Sequence, residues 1–209
     1  MHLSKKDILN TSRITRLKLI NSITGIKPAN LIGSISKDGH SNLAIFSSII
    51  HLGSSPALIG FIMRPDKTVR RDTLNNILET KYYTINHIHQ DFIEQAHKTS
   101  GKYSKDVSEF KACNLTEDYS FDFPAPFLKE SKIKMGLKLK NIIDIPDNET
   151  KLIVGSIEHI YIDDIALEDN GDINLQIIND VGIGGLNNYY KLEKIAHYPY
   201  FRVESKITK

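Results

Sequence analysis

From Ser131 to Lys140 the chain alternates: Ile133, Met135, Leu137 and Leu139 fall on one face, and Lys132, Lys134, Lys138 and Lys140 on the other. Side chains of a strand point to opposite faces with a period of two, so this pattern predicts a half-buried antiparallel strand. Its register is tightly specified, because a slip of one residue would exchange the apolar set for the lysines. Thr150 to Ile162 reads as a second long strand, the turn Asp169-Asn170-Gly171-Asp172 follows, and Ile173 to Leu175 is predicted to pair nearby.

The first third of the chain has the same character. Ala29 to Ser36 is a strand-like run that ends at Lys37-Asp38-Gly39-His40, where Asp-Gly signals a hairpin because glycine accepts positive φ. A second strand starts at Ser41 and runs through Phe46; it empties into Ser47-Ser48 and Gly53-Ser54-Ser55-Pro56 before a third apolar run, Ala57 to Met63. Lys67 to Glu79 places Val69, Leu74, Ile77 and Leu78 on a helical face, Lys81 to His87 is rich in β-formers, and Gln90 to Lys98 is predicted helical. Residues 1 to 27 form a lead-in segment with a short helix over Arg13 to Ile23, and Ser205 to Lys209 a frayed end. The aromatic and turn-rich stretch Gly101 to Ser131 reads as an ordered loop covering a site. With few helical crossovers, a mainly β fold with short helices, closed as an antiparallel barrel, fits better than a doubly wound parallel sheet.

At 209 residues the chain is read as one domain spanning 1–209. Lys and Arg total 27 against 25 Asp and Glu, a balance that argues against nucleic acid or an anionic membrane as partner. The single cysteine, Cys113, excludes an internal disulfide and a Cys-rich zinc site, and fits a reducing compartment; it reads as a core or surface thiol. The N-terminal residues lack an apolar signal region, so a cytoplasmic location is expected.

Arg64-Pro65-Asp66-Lys67-Thr68 precedes the predicted helix, and a phosphate needs donors of this kind: cationic side chains, hydroxyls and N–H groups at a helix start. Asp66 is placed to cap that helix, and Arg70, Arg71 or Thr73 can share the anion. The competing reading is a solvated basic face, with Ser47 and Ser48 as ordinary turn residues and Asn42 as an ordinary strand start. His87 and His89 form an H-x-H pair, but no third ligand stands at a convincing spacing and no metal is assigned. Gly182-Ile183-Gly184-Gly185 is not a dinucleotide fingerprint.

Several segments taken in order resemble the flavin reductase-like family: Pro28-Ala29-Asn30, Asn42 to Ser48, Ser55 to Ile59, Asp72 to Ile77, Tyr83 to Asn86, Ala96 to Ser100, Ser108-Glu109-Phe110 and Gly185 to Tyr190. The resemblance implies an FMN-binding split β-barrel, with FMN rather than FAD. Contacts implied along the flavin ring are Asn42, Ala44, Ile45, Ser47 and Ser48, with Asn30 beside them. The phosphate falls to Arg64, Lys67 and Thr68, and Thr99 and Ser100 join the site. His97 is the one candidate for a catalytic group, in a region that approaches the nicotinamide side in the family; the alternative is a partly exposed helix residue. Tyr189 and Tyr190 close the pocket or enter a dimer interface, or simply pack an edge. The implied function is an NAD(P)H-dependent flavin reductase, a homodimer using NADH or NADPH, with a monooxygenase or redox protein as possible partner. Because flavin N5 itself accepts hydride, no nucleophile and base are required. The alternatives are a flavoredoxin-like electron carrier and a non-redox flavin-binding regulatory protein.

Overall fold

The computed structural model describes residues 1–202; the expected frayed end, Ser205 to Lys209, lies outside them. Its centre is a seven-stranded sheet in the order β3-β2-β6-β9-β10-β5-β4. These strands are β2 (Asn30–Ile35), β3 (Ser41–Phe46), β4 (Ile50–Ser54), β5 (Ala57–Met63), β6 (Tyr82–His87), β9 (Ile133–Ile145) and β10 (Thr150–Ile162). Every neighbouring pair is antiparallel. The sheet curls into a barrel, since Phe46 of β3 packs edge-on against Phe61 of β5 with ring centroids 5.1 Å apart. Ser48, in the connection from β3 to β4, seals that seam: its hydroxyl accepts the Ile62 N–H at 3.1 Å and donates to the Ile62 carbonyl at 3.3 Å.

Strand β2 is buried on both faces, which explains its continuous apolar reading. Ile32 joins Phe61, Met63, Tyr83, Ile85, Leu137 and Ile153 inside the barrel, where Leu74 and Ile77 of the helix α3 (Asp72–Thr80) complete the core. Leu31 and Leu43 point outward into a second cluster with Ile88, Phe92, Ala96, Phe110 and Val181. That outer layer is built by α4 (Ile93–Lys98), α5 (Glu109–Ala112) and a small sheet of β1 (Lys27–Pro28), β11 (Val181–Gly184) and β12 (Asn188–Lys191). The lead-in segment holds two helices, α1 (Lys5–Asn10) and α2 (Arg13–Ser22), neither of which buries a residue.

Several local expectations are corrected. Helix α3 begins at Asp72 and not at Lys67, because Arg71 has non-helical backbone angles (φ −126°, ψ 88°) and residues 64–71 form a loop. Asp66 therefore caps nothing, and Val69 and Leu78 are exposed. The 90–98 segment opens as a 3₁₀ turn, Gln90–Phe92, before α4. Ile173 makes a single bridge to Leu167 in place of a strand. The Ser-rich stretch contains a strand, β4, and the aromatic loop contains α5 and the two-stranded pairing of β7 (Glu117–Asp118) with β8 (Phe127–Leu128).

That same loop corrects the two-faced reading of β9 at one position, since Ile133 and Leu137 are buried and Lys138 and Lys140 exposed as expected. Lys134 is buried, its ammonium 2.7 Å from the Asp118 carboxylate and 5.0 Å from the centre of the Tyr161 ring. The loop is clamped onto β6 by a buried network in which Thr84 Oγ1 donates to the Pro126 carbonyl at 2.6 Å and Asn86 Oδ1 accepts the Leu128 N–H at 2.9 Å. The approach is so close at Gly33 that a Cβ there would collide with the Pro126 carbonyl and Thr84 Oγ1. We expect Gly33→Ala to lower stability by about 1–3 kcal/mol through overpacking, read as a drop in the urea midpoint; an unchanged midpoint contradicts this packing.

Candidate flavin site

An edge strand presents unpaired backbone groups that something must satisfy. Strand β3 pairs with β2 on one side only, and its outer edge is divided. The first half is covered by protein: Leu43 donates its N–H to Glu109 Oε2 at 3.0 Å, and the Ser41 hydroxyl lies 2.5 Å from Glu117 Oε1. Burial pushes the Glu109 carboxyl up, against the Leu43 N–H that holds it down. Outward-facing backbone groups alternate along an antiparallel edge, so Ile45 shares the orientation of Leu43, with Ser47 following beyond the strand end. From Ala44 to Ile49 the chain is half-buried. This strip offers N–H and C=O groups in the row that the pyrimidine edge of a flavin requires.

The cations gather at the far end of β5. Burial, and then the neighbouring charge of Arg64, lower the pKa of Lys27 and of Arg71. These three positive groups therefore share one region, and among the described residues Arg64 has no ion-pair partner. Its loop acid, Asp66, turns toward Lys151 at 3.9 Å. Lys27 donates to the Asn21 and Gly185 carbonyls at 3.0 and 2.9 Å, and Arg71 Nε donates to the Pro65 carbonyl at 3.1 Å. Asp66 partly offsets Arg71, whereas Lys27 and Arg64 make no ion pair among the described residues, and cations of that kind near an open strand edge fit the phosphate of a flavin mononucleotide. Sequence reasoning missed Lys27, which lies 37 positions before Arg64 and reaches it only through the fold.

The remaining predicted residues divide by what their side chains are already doing. Lys67 pairs with Glu149 at 2.5 Å, Arg70 pairs with Asp72, and Thr68 is exposed. Asn42 is buried, with its amide donating to Thr73 Oγ1 at 3.0 Å, so it ties β3 to α3. The hydroxyl of Ser48 is committed to Ile62, that of Thr99 donates to the Ala96 carbonyl at 2.8 Å, and that of Ser100 to the His97 carbonyl at 2.7 Å. Asn30 is buried with its Oδ1 unpartnered. The amide nitrogen of Asn42 and the hydroxyl of Ser48 are thus already engaged within the protein.

His97 Nδ1 lies 3.0 Å from the Tyr189 hydroxyl, and the two rings meet edge to face. Burial raises the Tyr189 phenol to about 12, so it stays protonated near neutrality. The pair borders an open cavity of about 680 Å³ between α4 and the β11–β12 hairpin. Cys113 is a core thiol beside the Tyr103 hydroxyl.

These features match known proteins. A family model described as the flavin reductase like domain matches residues 26–176, and the chain belongs to that family. A split-barrel protein from Shewanella frigidimarina NCIMB 400, named after the flavin reductases, is 46% identical over 96% of this chain and 100% of its own, with a TM-score of 0.91. Nitrilotriacetate monooxygenase component B from Bacillus cereus shares the fold at 19% identity (95% and 98% covered, TM-score 0.84). So does flavoredoxin of Desulfovibrio vulgaris (Miyazaki F), at 20% identity (84% and 92% covered, TM-score 0.73). The antiparallel split barrel is thus the fold of this chain. No helix among the described residues is long and apolar enough to cross a membrane.

The H-x-H pair acquires a third neighbour that the sequence did not disclose. Asp180 lies 2.8 Å from His87 Nδ1 and 4.0 Å from His89 Nδ1, while His89 Nε2 accepts the Lys132 N–H at 2.7 Å. His87 Nδ1 and His89 Nε2 therefore fasten the end of β6 to the 178–181 segment and to the start of β9, while His89 Nδ1 is buried without a hydrogen-bond partner. Burial lowers His89 from 6.5 to about 4, with the nearby Asp180 opposing the shift. Between those values only the unfolded chain carries the proton, so stability falls as the pH falls through that window, by about 3 kcal/mol in total. Urea unfolding from pH 7 to 4 should show this slope, and His89→Gln should flatten it; an equal slope in the variant contradicts the assignment.

Proposed function

We propose that this protein binds FMN and acts as an NAD(P)H-dependent flavin reductase, holding the flavin ring along Ile45 to Ser48 and the phosphate at Arg64, Lys27 and Arg71. The observation that carries the reading is the uncovered half of the β3 edge, lying near a group of cations in which Arg64 has no ion-pair partner among the described residues. The bound flavin supplies a two-electron acceptor at N5. The chain's own part is to read the ring with backbone groups, neutralise the phosphate and exclude water at the barrel wall. Lys67 and Thr68 stand at the mouth of the same loop and bind the phosphate once Lys67 leaves Glu149, an exposed pair of small worth.

We also propose a homodimer. Ile14, Leu17 and Ile20 of α2, Ile50 and Leu52 of β4, and Tyr198, Tyr200 and Phe201 near the C-terminus all expose apolar surface that a second copy would bury. A reduced-flavin acceptor, such as a monooxygenase or redox protein, would complete the cycle.

Visible absorption tests the reading. Purified protein loaded with FMN should show a flavin band that bleaches anaerobically with NADH or NADPH. Bleaching with dithionite alone would assign the protein to electron carriage in place of reduction, and absence of any band after adding FMN would overturn the site. Arg64→Ala should weaken FMN by ~10-fold or more while leaving riboflavin nearly unchanged, because only FMN carries the phosphate. Equal losses for the two ligands contradict the phosphate assignment.

A further inference from the structure

We propose that Lys27 is a latch between the flavin phosphate and the α1–α2 arm, so that occupancy of the phosphate site fixes the arm on the body of the protein. This rests on the flavin reading above. The arm is otherwise barely attached. Neither α1 nor α2 buries a residue, and among the described residues one hydrogen bond, from Lys27 Nζ to the Asn21 carbonyl at 3.0 Å, joins residues 1–22 to anything beyond Gly25. The arm's own polar contacts stay within it, as where Arg16 donates to the Leu9 and Thr11 carbonyls. The last carbonyls of a helix lack partners in the helix, and a cation there is favourable. Asn21 stands in the last turn of α2, so the Lys27 ammonium both satisfies that end and ties it down.

On its other side Lys27 belongs to the body. It lies in β1 opposite Ile183 of β11, and the same ammonium donates to the Gly185 carbonyl at 2.9 Å. Ser22 rests against that turn, since a Cβ on Gly185 would stand 2.9 Å from Ser22 Oγ. An ammonium has three N–H donors. Two are spent on Asn21 and Gly185, which leaves the third for a phosphate oxygen. Burial first, and then the charge of Arg64, disfavour the charged form of Lys27. A phosphate held by both cations cancels their mutual repulsion and adds a charge-assisted hydrogen bond. The ammonium is thereby fixed, and the end of α2 with it. Such coupling is reciprocal, so the fixed arm in turn tightens the phosphate. Because α2 carries the exposed Ile14, Leu17 and Ile20, flavin occupancy sets whether this apolar face is presented in one orientation.

The test is hydrogen–deuterium exchange at the helix-bonded amides of α2. With FMN bound, as shown by its visible band, exchange there should slow by about 5-fold or more relative to the flavin-free protein. Saturating riboflavin, which has the ring and no phosphate, should change it by less than about 2-fold. Lys27→Met, which keeps the stem and removes the ammonium, should abolish the slowing at FMN concentrations that saturate the band. Unchanged exchange on FMN loading, equal slowing by FMN and riboflavin, or slowing that persists in Lys27→Met overturns the latch while the flavin reading stands. Absence of a band after adding FMN overturns the flavin reading, and the latch with it. The comparison of FMN with riboflavin uses the unsubstituted protein, so it decides the matter even if circular dichroism shows that Lys27→Met does not fold.

Discussion

The outer edge of β3 is the constraint around which the rest is arranged. A barrel wall that stops at an unpaired strand must satisfy a row of N–H and C=O groups, and here the protein does so for only half the row. Glu109, Ser108 and Glu117 close the first half. The second half is kept open because Ser48 pulls the chain away to Ile62, and this single hydroxyl both closes the barrel and ends the strand. The same seam brings the end of β5, with Arg64, to the neighbourhood of the opening. Fold closure and the open stretch of strand edge are consequences of one turn.

The layers on either side of β2 show how the site is kept stiff. Alternate residues of that strand feed two separate apolar clusters, so the sheet is held from inside by α3 and from outside by α4, α5 and β11. Asn42 bridges β3 to α3 through Thr73, and Asn76 reaches Ser34 at 3.2 Å. These buried amides leave the backbone of β3 little freedom to move away from a ligand.

Much of the barrel was legible because strand periodicity is local. The runs at 29–36, 41–46, 57–63 and 150–162 could be read from alternation, β-branching and the Asp38-Gly39 turn, and they lie within a residue or so of the observed strands. What was hidden depends on contacts distant in sequence. Lys134 was read as solvent-facing because nothing near it announces that Asp118 will fold over it, and β4 was hidden because its apolar residues lie on an exposed edge. At the candidate site, residue type pointed to segments, but not to which atoms remain free. Asn42, Ser48, Thr99 and Ser100 have the polarity of ligand-binding residues and spend it on neighbouring groups of the protein, whereas Lys27 entered the cationic group from a strand of two residues.

The buried pair of Lys134 and Asp118 bears on how far this scaffold can be shortened or recombined. The strand belongs to the barrel and the carboxylate to a loop outside it, yet neither tolerates the other's removal, since an unpaired ammonium in that position would face Phe127 and Tyr161 without a counter-charge. A trimmed barrel lacking the 117–128 segment, or a chimera taking that segment from a distant homologue, therefore requires a matching exchange at residue 134, an apolar side chain being the simplest. The loop and the strand form a single heritable unit, although they touch nowhere in the linear order.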